Sequence, residues 1–322
     1  MIWLTWRQHR RELLIVGVVL AAIAIYLAWT GRATYNAYTQ MTDGMSVALC
    51  EQHRGEPMND LCNALIGDFY SFYNNNMLAM AALLLLPPLA GVFLGAPLVA
   101  RELEVGTYRL VWTQSVTRRR WLLTKVGAML GVALLASAAI IPVVYWWRGP
   151  FSADDVGITS PVYAVEGILP LAYMAFALAL GIAAGTLLRR TVAAMFVTLA
   201  VYAGVAIGIV AFARQRFLPP LTATWDSYTS SGPMLGAHDW VFYYGYLDRA
   251  GKQVDTVTVY SACAPSGRVD LRPGSAFTAC VQAHGWLSQY VWQPASRYWA
   301  FQGIESGLLV ALAVALLALA LW

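Results

Sequence analysis

The sequence predicts an all-α polytopic membrane protein with six transmembrane helices, an N-terminal interfacial helix, and a sizeable extracytoplasmic region between spans five and six. Three observations carry this reading. The first is composition: of 322 residues, 59% are hydrophobic and only 12% are charged, and the mean hydropathy is +0.57. A soluble domain carries about 25% charged residues, so a chain this apolar cannot cover its own surface in water. The second is the set of charge-free windows, at 13–31, 69–100, 126–147, 167–188, 191–213 and 306–322. About 20 apolar residues cross the hydrocarbon as a helix, and a charge at the helix centre costs roughly 2.5–3.5 kcal/mol. The runs are solid, unlike the ~10-residue alternating strands of a barrel, which are excluded. The third is that lysine and arginine concentrate in alternate connecting segments.

The elements follow in order. Residues 1–12, MIWLTWRQHRRE, place Ile2, Trp6 and His9 on one helical stripe and Arg7, Arg10 and Arg11 elsewhere. Tryptophan and arginine together suit the headgroup zone, so an interfacial helix is expected, with a frayed basic tail as the alternative. The first span, 13–31, is too long for a signal-peptide core and has no clean A-x-A site behind it, so it is read as retained. The second span is assigned to 77–100 within its longer window, and Pro87-Pro88 predicts a kink there. Spans three, four and five are assigned to 126–147, 167–188 and 191–213. The sixth, 303–322, begins around Glu305 and ends at Trp322 with no basic anchor, so either more chain follows or packing holds that end.

Orientation follows from the basic residues. Segments 1–12, 101–125 and 189–190 hold Arg7, Arg10, Arg11, Arg101, Arg109, Arg118, Arg119, Arg120, Lys125, Arg189 and Arg190 in very little sequence. The other polar segments, 32–68, 148–166 and 214–302, are far longer, carry no more lysine and arginine, and hold most of the acids. Positive charge in short loops is retained inside, so both termini are expected in the cytoplasm. The net charge of +4 is then a topology signal and not a nucleic-acid footprint. Cys50, Cys62, Cys263 and Cys280 all fall outside, where disulfides persist. The natural pairings, two per external segment, are Cys50–Cys62 and Cys263–Cys280, although four cysteines allow three connectivities.

The segment 214–302 is long enough to fold by itself. It contains Trp225, Trp240, Trp286, Trp292 and Trp299. QVDTVTVYSACA (253–264) alternates β-formers and reads as a strand. A substrate gate and a structural cap are both open for this region. Four spans carry glycine pairs at i, i+4 (Gly91–Gly95, Gly127–Gly131, Gly181–Gly185 and Gly204–Gly208), which permit close backbone approach in lipid and suggest a tight bundle.

Several function classes are disfavoured. No ionisable residue falls inside a span core, which argues against a proton relay, and no filter-like run suggests a channel. No G-x-S-x-G, H-E-x-x-H or G-x-x-x-x-G-K-[ST] occurs, and no metal-ligand spacing is present. The polar positions that could line a translocation path are Asn74, Asn75 and Asn76 near the second span, with Thr198 and Tyr202 in the fifth.

The charged island between spans two and three, RELEVGTYRLVWTQSVTRRRWLLTK (101–125), is the most informative stretch. Gly106 ends the incoming helix. Thr107 can cap a short helix, Tyr108 to Trp112, whose apolar surface calls for a cover. Ser115 or Thr117 can cap the next helix, which starts at Arg118. The order Arg101-Glu102, Glu104, Gly106-Thr107, Leu110, Ser115-Val116-Thr117-Arg118 and Lys125 resembles the cytoplasmic loop of type-2 ABC exporter permeases, as do the opening TWRQHRRE and the six-span layout. Ser115 stands where that pattern commonly has proline. The resemblance implies a permease that dimerises, most simply as a homodimer, in the plasma (inner) membrane among its lipids, with two copies of a separate ATP-binding subunit. It implies that Glu102, Glu104, Gly106, Thr107, Tyr108, Arg109 and Arg118 form the segment docking on that ATPase. ATP and magnesium would then belong to the partner, and no cofactor to this chain. Export of an amphipathic or apolar substrate is the implied function. The competing readings are a membrane receptor or accessory protein that uses its tryptophan-rich external region, and a lipid-acting membrane enzyme.

Overall fold

The computed structural model describes residues 2–42, 44–52, 60–106, 118–148, 157–159, 163–236, 238–264, 267 and 269–322; within these, residues 2–13, 15–16, 19–20, 48, 51–52, 70, 72–81, 118–119 and 148 are described by their backbone alone. The chain divides into two compact units. One comprises residues 1–153, 161–215 and 302–322, and the other 154–160 and 216–301.

The first unit is helical. Among the described residues, five segments are long and apolar enough to cross a membrane: Ala82–Val105, Arg120–Trp147, Leu169–Leu188, Thr191–Arg216 and Ala295–Leu321. They make this a multi-pass membrane protein. The window 13–31 lies inside helix α1, Ile2–Thr39. At 38 residues this helix is about 57 Å long and runs unbroken from Ile2, so residues 2–12 are continuous with the helix that carries the window 13–31. It is anchored near its far end, where Trp147 donates from Nε1 to Thr30 Oγ1 at 3.0 Å. The short helix α2 (Val47–Gln52) and α3 (Asp60–Ala81) are joined by the Cys50–Cys62 disulfide. Leu27, Val47, Phe69, Val144 and Trp147 form the apolar cluster beneath them.

The second span is irregular for a visible reason. A 3-10 turn at Ala82–Leu85 leads into α4, Leu86–Ala90, with the Pro87-Pro88 pair in its first turn. Proline is tolerated there because the first amides have no partner within the helix. A wide π turn at Gly91–Gly95 follows, and α5, Ala96–Val105, completes the span. Helix α6 (Arg118–Arg148) carries the window 126–147, α7 (Leu169–Leu188) the window 167–188, and α8 (Thr191–Gly208) the window 191–213. Helix α8 continues through a π turn at Ile209–Ala213 to Arg214–Arg216.

Helix α7 is the most deeply buried of the candidate spans. Glycines make this possible: a Cβ on Gly181 would overlap the Gly91 carbonyl oxygen, and one on Gly185 the Ala96 carbonyl oxygen. Of the four glycine pairs, Gly91–Gly95 and Gly181–Gly185 therefore pack on each other. The expected tight packing does not extend to Gly127, Gly131, Gly204 and Gly208, where a Cβ would meet no described atom within 4 Å. The final helix lacks a basic anchor, but its Leu317, Ala320 and Leu321 pack against the Leu98, Val99, Trp121 and Ile182 cluster.

The second unit corrects the all-α expectation. It contains a four-stranded antiparallel sheet, β1 (Leu221–Trp225), β2 (Trp240–Leu247), β3 (Gln253–Val254) and β4 (Leu287–Gln293), in the order β1-β4-β2-β3. The register sets Tyr290 opposite both Ala223 and Tyr244. With the two-residue side-chain period, Trp225, Tyr244, Tyr246 and Tyr290 share one face. Tyr290 lies 4.6 Å from Tyr244 and 5.2 Å from Trp225, ring centre to ring centre.

The run 253–264 is not a strand beyond Val254. Asp255 caps Val257 N, and Thr256–Cys263 forms helix α9. The Thr-Val alternation yields here to the cap and to burial of Val259 against Tyr246, Phe277 and Val281. Helix α10, Ala276–Ala283, is capped by Ser275 and tied to α9 by the Cys263–Cys280 disulfide. Helix α11, Tyr298–Leu321, ends the chain.

Candidate functional site

Two polar clusters stand out in the helical unit, at opposite ends of the α7–α8 pair. Helix α7 spans about 30 Å, and α8 returns from it after a two-residue turn at Arg189-Arg190.

The first cluster is the stem of the charged island. Gly106 adopts a left-handed conformation, φ 79°, and its N–H donates to Glu102 O at 3.1 Å, which terminates α5. Glycine has no Cβ to oppose that geometry. Two residues apart on a helix lie about 200° apart around its axis, so Glu102 and Glu104 leave α5 on opposite sides. Glu102 meets Lys125 of α6 in an ion pair. That pair is largely buried, and the Lys125 ammonium also lies 5.0 Å from the Trp121 ring centre. On the other side, Glu104 Oε2 accepts from Thr191 N at 3.0 Å and from Thr191 Oγ1 at 2.7 Å. The helix starting at Arg118 is present, while its side chain lies outside the described residues. Thr107, Tyr108 and Arg109 also lie outside them.

The second cluster overturns the expectation that no charge is buried in the spans. Glu305, 0% exposed, accepts from Arg214 Nε at Oε2 and from Arg214 Nη2 at Oε1, both at 3.0 Å. Its Oε1 also accepts from the Tyr173 hydroxyl at 2.7 Å. The guanidinium sits 4.4 Å from the Tyr163 ring centre. One turn earlier on the same face of α11, Gln302 Oε1 accepts from Ile168 N and Leu169 N, each at 3.2 Å, and Nε2 donates to Tyr163 O at 3.1 Å. Gln302 thus satisfies amides at the start of α7 that have no partner within the helix. Gly167, at φ 60°, leaves room for it, since a Cβ there would crowd the Gln302 amide. The chemistry is that of a clasp: a two-pronged, buried charge pair joining α7, the Arg214–Arg216 turn beyond α8, and α11.

Arg214 and Glu305 stand at the polar edges of their charge-free windows, 91 residues apart. Neither looks special alone. The available signal was that facing ends of the fifth and sixth windows carry opposite charges.

The path candidates divide. Thr198 is fully buried and its hydroxyl donates to Ala194 O at 2.7 Å. Tyr202 packs edge-on to Tyr173 at 6.1 Å and stacks on Phe176 at 6.0 Å, which brings it beside the clasp. Asn74, Asn75 and Asn76 belong to α3, ahead of the candidate span that starts at Ala82, and their side chains lie outside the described residues. In the second unit, Cys263, Cys280 and His284 bring three potential ligand atoms within 4.8 Å. The two sulfurs are bonded to each other, so no thiolate is offered to a metal.

The sequence profile of the family described as ABC-2 membrane transporter related matches residues 17–214, more than half of the chain. No curated protein matches, and no solved structure does.

Proposed function

Since the chain belongs to the ABC-2 membrane transporter related family, whose members are transport membrane subunits with an ATP-binding ABC partner, we propose that it is the permease subunit of an ATP-driven exporter. Two copies of the ATPase dock from the cytoplasm on the loop between Gly106 and Arg118, with Thr107, Tyr108 and Arg109 at the contact. The permease acts as a homodimer in the plasma membrane with both termini inside, and it moves an amphipathic or apolar substrate outward. ATP and magnesium are held by the partner.

The family match carries this reading because it spans the charged island. Further support comes from the way the island is mounted. A loop with solvated charges and no mechanical role has no need of a stem fixed to two neighbouring helices, as this one is through Glu102 and Glu104. The orientation rests on the basic residues of segments 1–12, 101–125 and 189–190.

Purification of the full chain from its native membrane in mild detergent, with partners identified by mass spectrometry, tests the proposal. A P-loop ATPase in stoichiometric amount is expected. A folded chain that brings none contradicts the reading and moves attention to the receptor alternative, for which the separate core and disulfide of residues 216–301 would be the place to look.

A further inference from the structure

We propose that Glu104 is a positioning residue that supplies, from α5, the N-terminal cap that α8 lacks, and that with the Glu102–Lys125 pair it passes displacement of the charged loop to the fifth and third spans. This rests on the ATPase-coupling reading above.

The residue that precedes α8 is Arg190, in extended conformation, and its side chain makes no capping bond. Arginine has five donors and no acceptor, so it cannot cap. Arg189 before it is left-handed at φ 54° and closes α7. Two cations therefore stand at the positive end of the α8 dipole, the unfavourable end for them. Helix α8 would start with orphan amides and adverse charge if left to its own sequence. The Glu104 carboxylate relieves both, since it accepts from the first of these amides, Thr191 N, and from the Thr191 hydroxyl, and places a negative charge at the helix N-terminus.

The cap is tertiary, so α8 is anchored to the last turn of α5. That turn is gripped on its opposite side by Lys125. Behind it, Ala96, Ala100, Ala184 and Ala194 pack with small side chains, which keeps the helices close. The loop begins two residues after Glu104. A push on the loop therefore meets a stem that cannot rotate without pulling on both α6 and α8. Both acids of the island are engaged within this chain, Glu102 by Lys125 and the exposed Glu104 by Thr191.

Hydrogen exchange on the full chain in lipid nanodiscs, with and without the co-purified ATPase, tests this. In Glu104→Ala the first turn of α8, residues 191–194, should exchange about fivefold faster, the effect of losing a typical cap. Glu104→Gln, which keeps an acceptor oxygen, should restore most of the protection. Thr191→Val should still retain the ATPase. Its ATP- and vanadate-driven change in exchange across α8 should fall at least twofold, and in Glu104→Ala that change should vanish. Unchanged exchange at 191–194 in Glu104→Ala would overturn the cap, as would loss of the ATPase in Thr191→Val overturn the division between stem and contact. A wild-type chain that binds no ATPase would overturn the transmission role together with the reading beneath it. The first-turn exchange is read without any partner and so separates the two failures.

Discussion

Glu305→Ala is expected to destabilise the helical unit by about 3–5 kcal/mol, the cost of leaving one member of a buried ion pair without its partner. The buried Arg214 guanidinium, set against the Tyr163 ring, would lose the carboxylate that neutralises it, and the Tyr173 hydroxyl would lose its acceptor. Arg214→Ala should cost a comparable amount for the mirrored reason. Arg214→Met combined with Glu305→Leu removes both charges and refills the volume, so it should lie much closer to wild type than either single change. Denaturant titration of the four proteins in detergent micelles measures the cycle. A Glu305→Ala loss below about 1 kcal/mol, or a double variant as damaged as the sum of the singles, would contradict the clasp.

Gly181→Leu is expected to prevent the helical unit from assembling. The obstruction is backbone, namely the Gly91 carbonyl oxygen and the Ala96 nitrogen, and backbone cannot rotate away as a flexible side chain can. Overpacking typically costs about 1–3 kcal/mol, and here the cost should lie at or beyond the upper end. The milder Gly181→Ala already places a Cβ in overlap and should lower the thermal midpoint. Gly204→Ala is the contrast. A Cβ there meets no described atom within 4 Å, and alanine favours a helix over glycine by about 0.5–1 kcal/mol. It should be neutral or stabilising in the isolated chain. Equal damage from Gly181→Ala and Gly204→Ala would show that the packing of α7 is not what distinguishes them.

The parts of this fold that are legible in the sequence are those set by one local, strong term. A charge-free run of about 20 residues is such a term, and every candidate span falls on one. Gly106 is another, because a glycine at the end of an apolar helix before a basic loop has a mechanical reason to be there. The disulfides were legible because the segments 32–68 and 214–302 hold two cysteines each. What was not legible depends on partners distant in the chain. The Val-Thr alternation after Gln253 has strand character, yet Asp255 and the packing of Val259 against Tyr246 and Phe277 make it a helix. The glycine pairs look alike in sequence, and only contact with Ala177, Leu178 and Ala96 separates those that pack from those that do not. Arg214 and Glu305 each read as a span boundary, because desolvation of one is made tolerable only by the other. The bond from Thr191 to Glu104 was not legible for the same reason: the two residues are 87 apart in the chain.

The central claim, that the charged island meets a separate ATPase, is tested most directly by photo-crosslinking from position 108. A benzophenone amino acid replaces Tyr108 in the full chain, and the native membrane is irradiated. The account predicts a covalent adduct with a P-loop ATPase, weakened by an excess of the same chain lacking the photoprobe. Adducts confined to lipid or to the permease itself, in protein that is otherwise folded, would contradict it.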